Sequence, residues 1–158
     1  VPERHLMIPL SLAYPAQALQ KSIDSNMAPP ESDPIKYGGY LVNAADCGVC
    51  HTPFVKGQPD FSRMFSGGNT FTLPTFKVTT ANITPDSTTG IGTWTLDRFM
   101  NKFTVCREES GYNYDPGKAN TIMPVKFYSG MTDNDLSAIY AFLRTVKPIK
   151  HEVVKYPK

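Results

Sequence analysis

Apolar side chains recur at helical spacing in three stretches of the sequence, and turn-forming residues separate them. The last stretch is the most sharply bounded. Leu136, Ile139, Tyr140, Leu143 and Val146 make one stripe at spacings of three and four, the repeat of an amphipathic helix. Thr132 precedes it as an N-cap, Asp133 and Asp135 put acids in the first turn, where they suit the helix dipole, and Pro148 predicts its end. The middle stretch, Leu96, Phe99, Met100 and Phe103, follows Thr95, a good N-cap residue. The first covers residues 35–46, with Tyr37, Tyr40, Leu41 and Ala44 on the predicted inner face. Gly38 and Gly39 interrupt it at about 1 kcal/mol each in helix propensity. That penalty predicts another element packed close against the backbone.

The segments between are irregular. Residues 52–94 are rich in Gly, Pro and Thr and read as loops, with a short strand pair near residues 71–79. Gly111, Pro116 and Gly117 break a second loop over residues 106–121. Residues 1–34 hold six of the 14 prolines and no sustained period, so they read as an extended arm. The arm carries Leu6, Met7, Ile8, Leu10, Leu12 and Tyr14, which a solvated linker has no reason to expose. It is expected to lie on a partner subunit, with folding back on its own domain as the alternative. The predicted organisation is the arm (1–34), a helical domain (35–148) and a basic tail (149–158) bearing Lys150, His151, Lys155 and Lys158.

At 158 residues, with 41% hydrophobic and 19% charged positions, the composition is that of one globular domain. The net charge of +2 gives no electrostatic case for a nucleic-acid partner. No apolar run approaches the roughly 20 residues of a membrane helix, so no span is expected in this chain. Because the chain opens at Val1, removal of an upstream segment is expected. Residues 6–19, broken by Pro9 and Pro15, read as mature sequence and not as a signal-peptide core.

The chemistry concentrates at Cys47-Gly48-Val49-Cys50-His51, the C-x-x-C-H pattern of covalent haem attachment. Two thiols three positions apart can each add to one vinyl group of a single porphyrin, and the adjacent His then places its imidazole on the iron. A redox C-x-x-C belongs in a βαβ setting that this sequence lacks. Half of a zinc site needs further ligands, which Cys106, His5 and His151 are poorly spaced to supply. One covalent haem c is therefore expected on Cys47 and Cys50, with His51 as an axial ligand. A low-spin electron carrier takes a second protein ligand, commonly Met. Of the six Met residues, Met7 and Met27 lie in the arm, and Met100 falls on a helical stripe. Met123 precedes Pro124, which pushes it into extended geometry and holds its side chain in one direction. Met123 is the expected ligand; Met64 and Met131 stay open as alternatives.

Several blocks then carry a family likeness. They are Gly38-Gly39-Tyr40-Leu41-Val42, Cys47-Gly48-Val49-Cys50-His51-Thr52, Ala81-Asn82-Ile83-Thr84-Pro85-Asp86 and Thr89-Gly90-Ile91-Gly92-Thr93-Trp94. Met123-Pro124 and the stretch from Met131 to Leu143 complete the set. Together they resemble the bacterial class I cytochromes c. The likeness is closest to the cytochrome c domains of membrane-bound alcohol, aldehyde and gluconate dehydrogenase cytochrome subunits. The resemblance implies a mainly α class I cytochrome c fold, with helices wrapped around one covalent haem and long loops. It implies that the first and last helices cross, with Tyr140 or Leu143 approaching Gly38 and Gly39. It implies Met123 as the distal ligand. It also implies that the segment from Asn82 through Ile83 to Trp94 lines the propionate edge and that Pro124 borders the pocket. Asn82 and Trp94 as ordinary loop and core residues remain the alternative.

Two departures stand out. Such subunits carry three haem domains in a row, whereas this chain holds one C-x-x-C-H; and Cys106 sits where the family loop lacks a cysteine. Cys106 is expected to be a buried apolar filler, with an intermolecular bond or a redox role as alternatives. The implied function is one-electron transfer in a bacterial periplasm, as a subunit or redox partner of a larger membrane-associated respiratory or dehydrogenase complex. The competing function is a haem enzyme or sensor with an open sixth site, which needs a distal acid or base, and only His5 and His151 remain for it.

Overall fold

The computed structural model describes residues 28–157. The apolar part of the arm, and with it Met7 and Met27, lies outside the described residues. Helix α1 (Pro34–Ala44) opens on Asp33, whose side chain accepts from the Lys36 N–H, with Pro34 at the first helical position. A break at Asp46, in the left-handed region at φ 51°, ends this helix and starts α2 (Cys47–His51) in a new direction. The sequence predicts a helix through residue 46; it ends at Ala44 instead, ahead of the left-handed turn, and Asp is among the few non-Gly residues that tolerate one.

Two small antiparallel hairpins follow. The first pairs β1 (Phe54–Val55) with β2 (Gln58–Pro59), which the sequence reading missed. The second pairs β3 (Thr70–Thr72) with β4 (Lys77–Thr79), Thr70 opposite Thr79, near the expected position. After an irregular stretch come α3 (Leu96–Thr104), α4 (Glu109–Tyr112), α5 (Val125–Tyr128) and α6 (Asp133–Leu143). The fold is thus mainly helical, with long loops. No helix among the described residues is long and apolar enough to cross a membrane.

Helices α1 and α6 pack on one another and form the spine of the core. Leu136 and Leu143 of α6 and Val42 of α1 are almost completely buried, each contributing about 2 kcal/mol relative to exposure. The buried face of α1 is Gly38 and Val42, while Tyr40 and Ala44 are exposed, so the expected inner face is rotated. The reason is steric. A Cβ on Gly38 would overlap the Ala138 carbonyl, and one on Gly39 would lie 3.0 Å from the Phe142 ring. The helices meet at Ala138 and Phe142, not at Tyr140 or Leu143 as expected, with the Phe142 ring seated over Gly39.

Both longer caps behave as their residues dictate. Thr95 accepts from the Arg98 N–H, and Thr132 and Asp135 form a reciprocal capping box. Helix α6 ends at Leu143, five residues before Pro148, with Arg144 as its C-cap. The Arg144 guanidinium donates to the Ile91 and Gly92 carbonyls, at 3.2 and 2.6 Å. Across the α1–α6 contact, the Tyr37 hydroxyl donates to Asp135 at 2.7 Å, a bond that pushes Tyr37 up to about 12. Burial alone would raise Asp135, but the bonds from Tyr37 and Thr132 hold it below the ordinary carboxylate range. Along the other side of the core, Tyr140, Phe99, Phe103 and Tyr128 touch in succession, at ring separations of 5.4, 5.3 and 6.2 Å. This aromatic file links α6 through α3 to α5.

Gly38→Ala separates the two roles of that glycine. An exposed helical Gly would gain about 1 kcal/mol on this change. Here the added methyl meets the Ala138 backbone, so a loss of about 1–3 kcal/mol is expected in urea unfolding. A gain would show that the helices do not cross at this point.

Candidate functional site

Helix α2 carries the C-x-x-C-H residues on little more than one turn. At 100° per residue, Cys47, Cys50 and His51 share one face and Val49 points the opposite way; Val49 is accordingly exposed. All three cysteines of the sequence are free thiols. Burial pushes the Cys47 thiol up to about 11, and Cys47 packs against the apolar core cluster.

His51 is buried, and its Nδ1 lies 2.7 Å from the Ala81 carbonyl oxygen. A carbonyl only accepts, so Nδ1 carries the proton and Nε2 keeps its lone pair. Burial lowers the His51 pKa, with the bond to Ala81 opposing, and so favours the neutral, ligand-competent ring. The loops around this helix converge on it. Gly67 N donates to the His51 carbonyl at 2.6 Å, Gly68 N to Thr80 O at 2.9 Å, and Thr80 N to Asn69 O at 2.9 Å. Gly67, at φ 70°, allows this approach, since a Cβ there would overlap the Thr80 and Ala81 carbonyls.

Asn69 closes the end of the helix. Its amide donates to the Cys50 and Thr52 carbonyls, at 2.9 and 2.6 Å, and its oxygen accepts from Phe54 N at 2.9 Å. The orphan carbonyls of a helix terminus need such a partner. The sequence reading missed Asn69; its only signal was a Gly-Gly-Asn run, which reads as a turn.

Met123 is half-buried and packs on the same core cluster as Cys47, Ile83 and Trp94. Tyr128, one turn further on, donates its hydroxyl to Ala45 O at 2.8 Å, two residues before Cys47. Burial, with the Cys47 and Cys50 sulfurs adding, pushes Tyr128 upward. The Met123 segment is therefore tied to the approach of the attachment helix. The other methionines have other surroundings. The Met64 methyl lies against Gly48, 3.3 Å from where a Cβ would stand, and the side chain packs on the core cluster. Met100 sits on the buried stripe of α3, its sulfur 3.8 Å from the Ser137 hydroxyl. Met131 precedes the α6 cap, and Arg107 holds its carbonyl at 2.7 Å.

These residues fit a covalently attached haem: two thiols free of disulfides and an oriented neutral imidazole share one helix face. A family profile described as Cytochrome c matches residues 35–147. The chain belongs to the cytochrome c family. The cytochrome is 35% identical over 116 residues to the fructose dehydrogenase cytochrome subunit of Gluconobacter japonicus. It is 37% identical over 117 residues to the gluconate 2-dehydrogenase cytochrome c subunit of Pantoea cypripedii. A third relative, the alcohol dehydrogenase (quinone) cytochrome c subunit of Gluconobacter oxydans (strain 621H), is 34% identical over 116 residues. Each match covers 73% of this chain but only 22–24% of the relative.

Four expected positions fall differently from one another. Ile83 is half-buried on the core, its N–H donating to Phe65 O at 2.9 Å. Trp94 is half-buried beneath the Arg98 guanidinium, 4.5 Å from the ring centroid. Its backbone carbonyl accepts from the Tyr140 hydroxyl at 2.7 Å. Asn82 is buried, and its amide donates to Ile149 O at 2.7 Å and Thr89 Oγ1 at 3.1 Å. Pro124 is exposed and opens α5, its carbonyl accepting from Phe127 and Tyr128. Cys106 is half-buried, not fully enclosed, with its thiol 3.9 Å from Gly111 O.

Asn69→Ala in the haem-loaded cytochrome leaves the Cys50 and Thr52 carbonyls without their partner. A loss of about 1–3 kcal/mol in chemical unfolding is expected. A change below about 0.5 kcal/mol, the scatter of ordinary surface substitutions, would show that the cap is dispensable.

Proposed function

We propose that this cytochrome carries one haem c, joined to the chain through Cys47 and Cys50, with His51 and Met123 as axial ligands, and that it passes single electrons. The observation that carries the reading is the fixed His51 ring, with Nδ1 committed to Ala81 O at 2.7 Å and Nε2 left with its lone pair, beside two free thiols. When bound, the haem supplies a one-electron Fe(III)/Fe(II) couple.

The chain's own residues hold and tune that group. The Ala81 carbonyl fixes the His51 tautomer and makes the imidazole a stronger donor. Met123 offers a soft, neutral thioether, which favours Fe(II) and raises the potential. Ile83 and the apolar core exclude water, and the Trp94 indole N–H is the donor best suited to a propionate.

Its relatives are named as cytochrome subunits of fructose, gluconate and alcohol dehydrogenases. By that kinship this cytochrome is the electron-transfer part of a dehydrogenase complex, receiving electrons from a catalytic subunit and passing them onward. Thioether attachment occurs outside the cytoplasm, which supports a periplasm-facing position. Among the described residues the remaining histidine, His151, holds Ser66 O through Nδ1 at 2.9 Å and packs against Gly68.

The test is the absorption spectrum of the purified oxidised protein beside that of Met123→Leu, with the haem-to-protein ratio measured in both. The expected result is one haem per chain and a weak long-wavelength sulfur-to-iron charge-transfer band that the variant loses. A parent without the band, a variant that keeps it, or a ratio other than one would contradict the reading.

A further inference from the structure

Ala81, whose carbonyl orients His51, belongs to no helix or strand. Strand β4 ends at Thr79, and residues 80–83 are irregular. A lone carbonyl in such a segment keeps its direction only if its neighbours are held. Those neighbours are held by the segment that the sequence predicts as a basic tail. Residues 149–157 turn back along the loop and bond to it on both sides of Ala81.

On one side, Thr79 N donates to Lys155 O at 2.8 Å. On the other, Asn82 Nδ2 donates to Ile149 O at 2.7 Å, and Ile149 N donates to Thr84 Oγ1 at 3.1 Å. His151 N donates to Thr89 Oγ1 at 2.9 Å. The His151 ring completes the attachment. Its Nδ1 donates to Ser66 O at 2.9 Å, and its Cε1 lies 2.7 Å from the Cβ position of Gly68. Only glycine leaves room for the ring there. Ser66 and Gly68 flank Gly67, whose N–H holds the His51 carbonyl. The segment therefore braces both strands of backbone that grip His51: residues 66–68 at its carbonyl and residues 79–84 at its ring.

We propose that residues 149–155 form a strap that positions the Ala81 carbonyl against His51 and thereby tunes the potential of the haem. The proposal rests on His51 being an axial ligand. A ligating imidazole donates more strongly when its second nitrogen gives a good hydrogen bond. A stronger donor stabilises Fe(III) over Fe(II). Loosening the strap lets the Ala81 carbonyl drift, weakens that bond and shifts the couple toward Fe(II), which raises the potential. His151 and Asn82 are positioning residues in this scheme, since neither touches the iron or its ligand directly.

The test uses the full, haem-loaded chain. His151→Ala removes the ring and its bond to Ser66. Thr89→Val, a near-isosteric change, removes the acceptor of His151 N and keeps the proposal testable should the first variant fold poorly. Val154→Ala, at a 69% exposed position on the same segment, is the control. Midpoint potentials are read by optical redox titration, with the axial-ligand spectrum recorded for each protein. The expected result is an unchanged ligand spectrum and a shift of the Fe(III)/Fe(II) equilibrium toward Fe(II) of about threefold in both strap variants. That corresponds to about 28 mV at 59 mV per decade, with the control at the parent value. Strap variants that keep the parent potential overturn the proposal while leaving the ligand assignment intact. A His51→Ala protein that retains the parent's low-spin spectrum removes the ligand assignment itself, and the strap's role with it.

Discussion

The hydrogen bond from His51 Nδ1 to the Ala81 carbonyl, at 2.7 Å, joins residues 30 positions apart in sequence. It decides which nitrogen of the ring carries the proton, and so which can bind a metal. Much of the surrounding loop structure serves to make it possible. The left-handed turn at Asp46 redirects the chain into the attachment helix. Asn69 caps the end of that helix, and Gly67 lets two backbone segments lie against each other without an intervening side chain. Without the close approach at Gly67, the Ala81 carbonyl would stand off by roughly the width of a methyl group, too far for a short bond.

The helical core solves a different problem, which is to bring residues from late in the chain beside the attachment helix. The crossing of α1 on α6 is set by Gly38 against Ala138, and it brings the C-terminal third of the domain onto the first helix. From α6 the aromatic file of Tyr140, Phe99, Phe103 and Tyr128 extends the core toward α5. Tyr128 then reaches Ala45, just ahead of Cys47. Packing of large aromatics is stiff and directional, which suits a site that must change charge without changing shape. The two regions are thus held by different means: backbone hydrogen bonds in the loops around His51, and aromatic packing from α6 toward α5.

What was legible in the sequence follows from range. Caps are local, so Thr95 and the Thr132–Asp135 box could be read directly, as could the C-x-x-C-H motif, whose chemistry lies within five residues. The inner face of α1 was misread because large aromatics dominate a hydrophobic pattern, while the closest helix contact here is made by a residue with no side chain. The end of α6 was placed at Pro148, but Arg144 leaves the helical run to bond to loop carbonyls that the sequence does not reveal. Asn82 illustrates the same limit. Family likeness pointed to it, and it is indeed buried and fully bonded, yet its partners are the carbonyl of Ile149 and the hydroxyl of Thr89. The segment after the last helix read only as a basic tail, because backbone bonds over 60 residues leave no periodic trace.

The most direct measurement is nuclear magnetic resonance of the haem-loaded, reduced protein labelled with nitrogen-15 at histidine. The account predicts a His51 ring whose Nδ1 carries a slowly exchanging proton, bonded to the Ala81 carbonyl, and whose Nε2 is unprotonated and on the iron. A His51 ring protonated at Nε2, or an Nδ1 proton that exchanges as fast as that of a solvent-exposed imidazole, would contradict it.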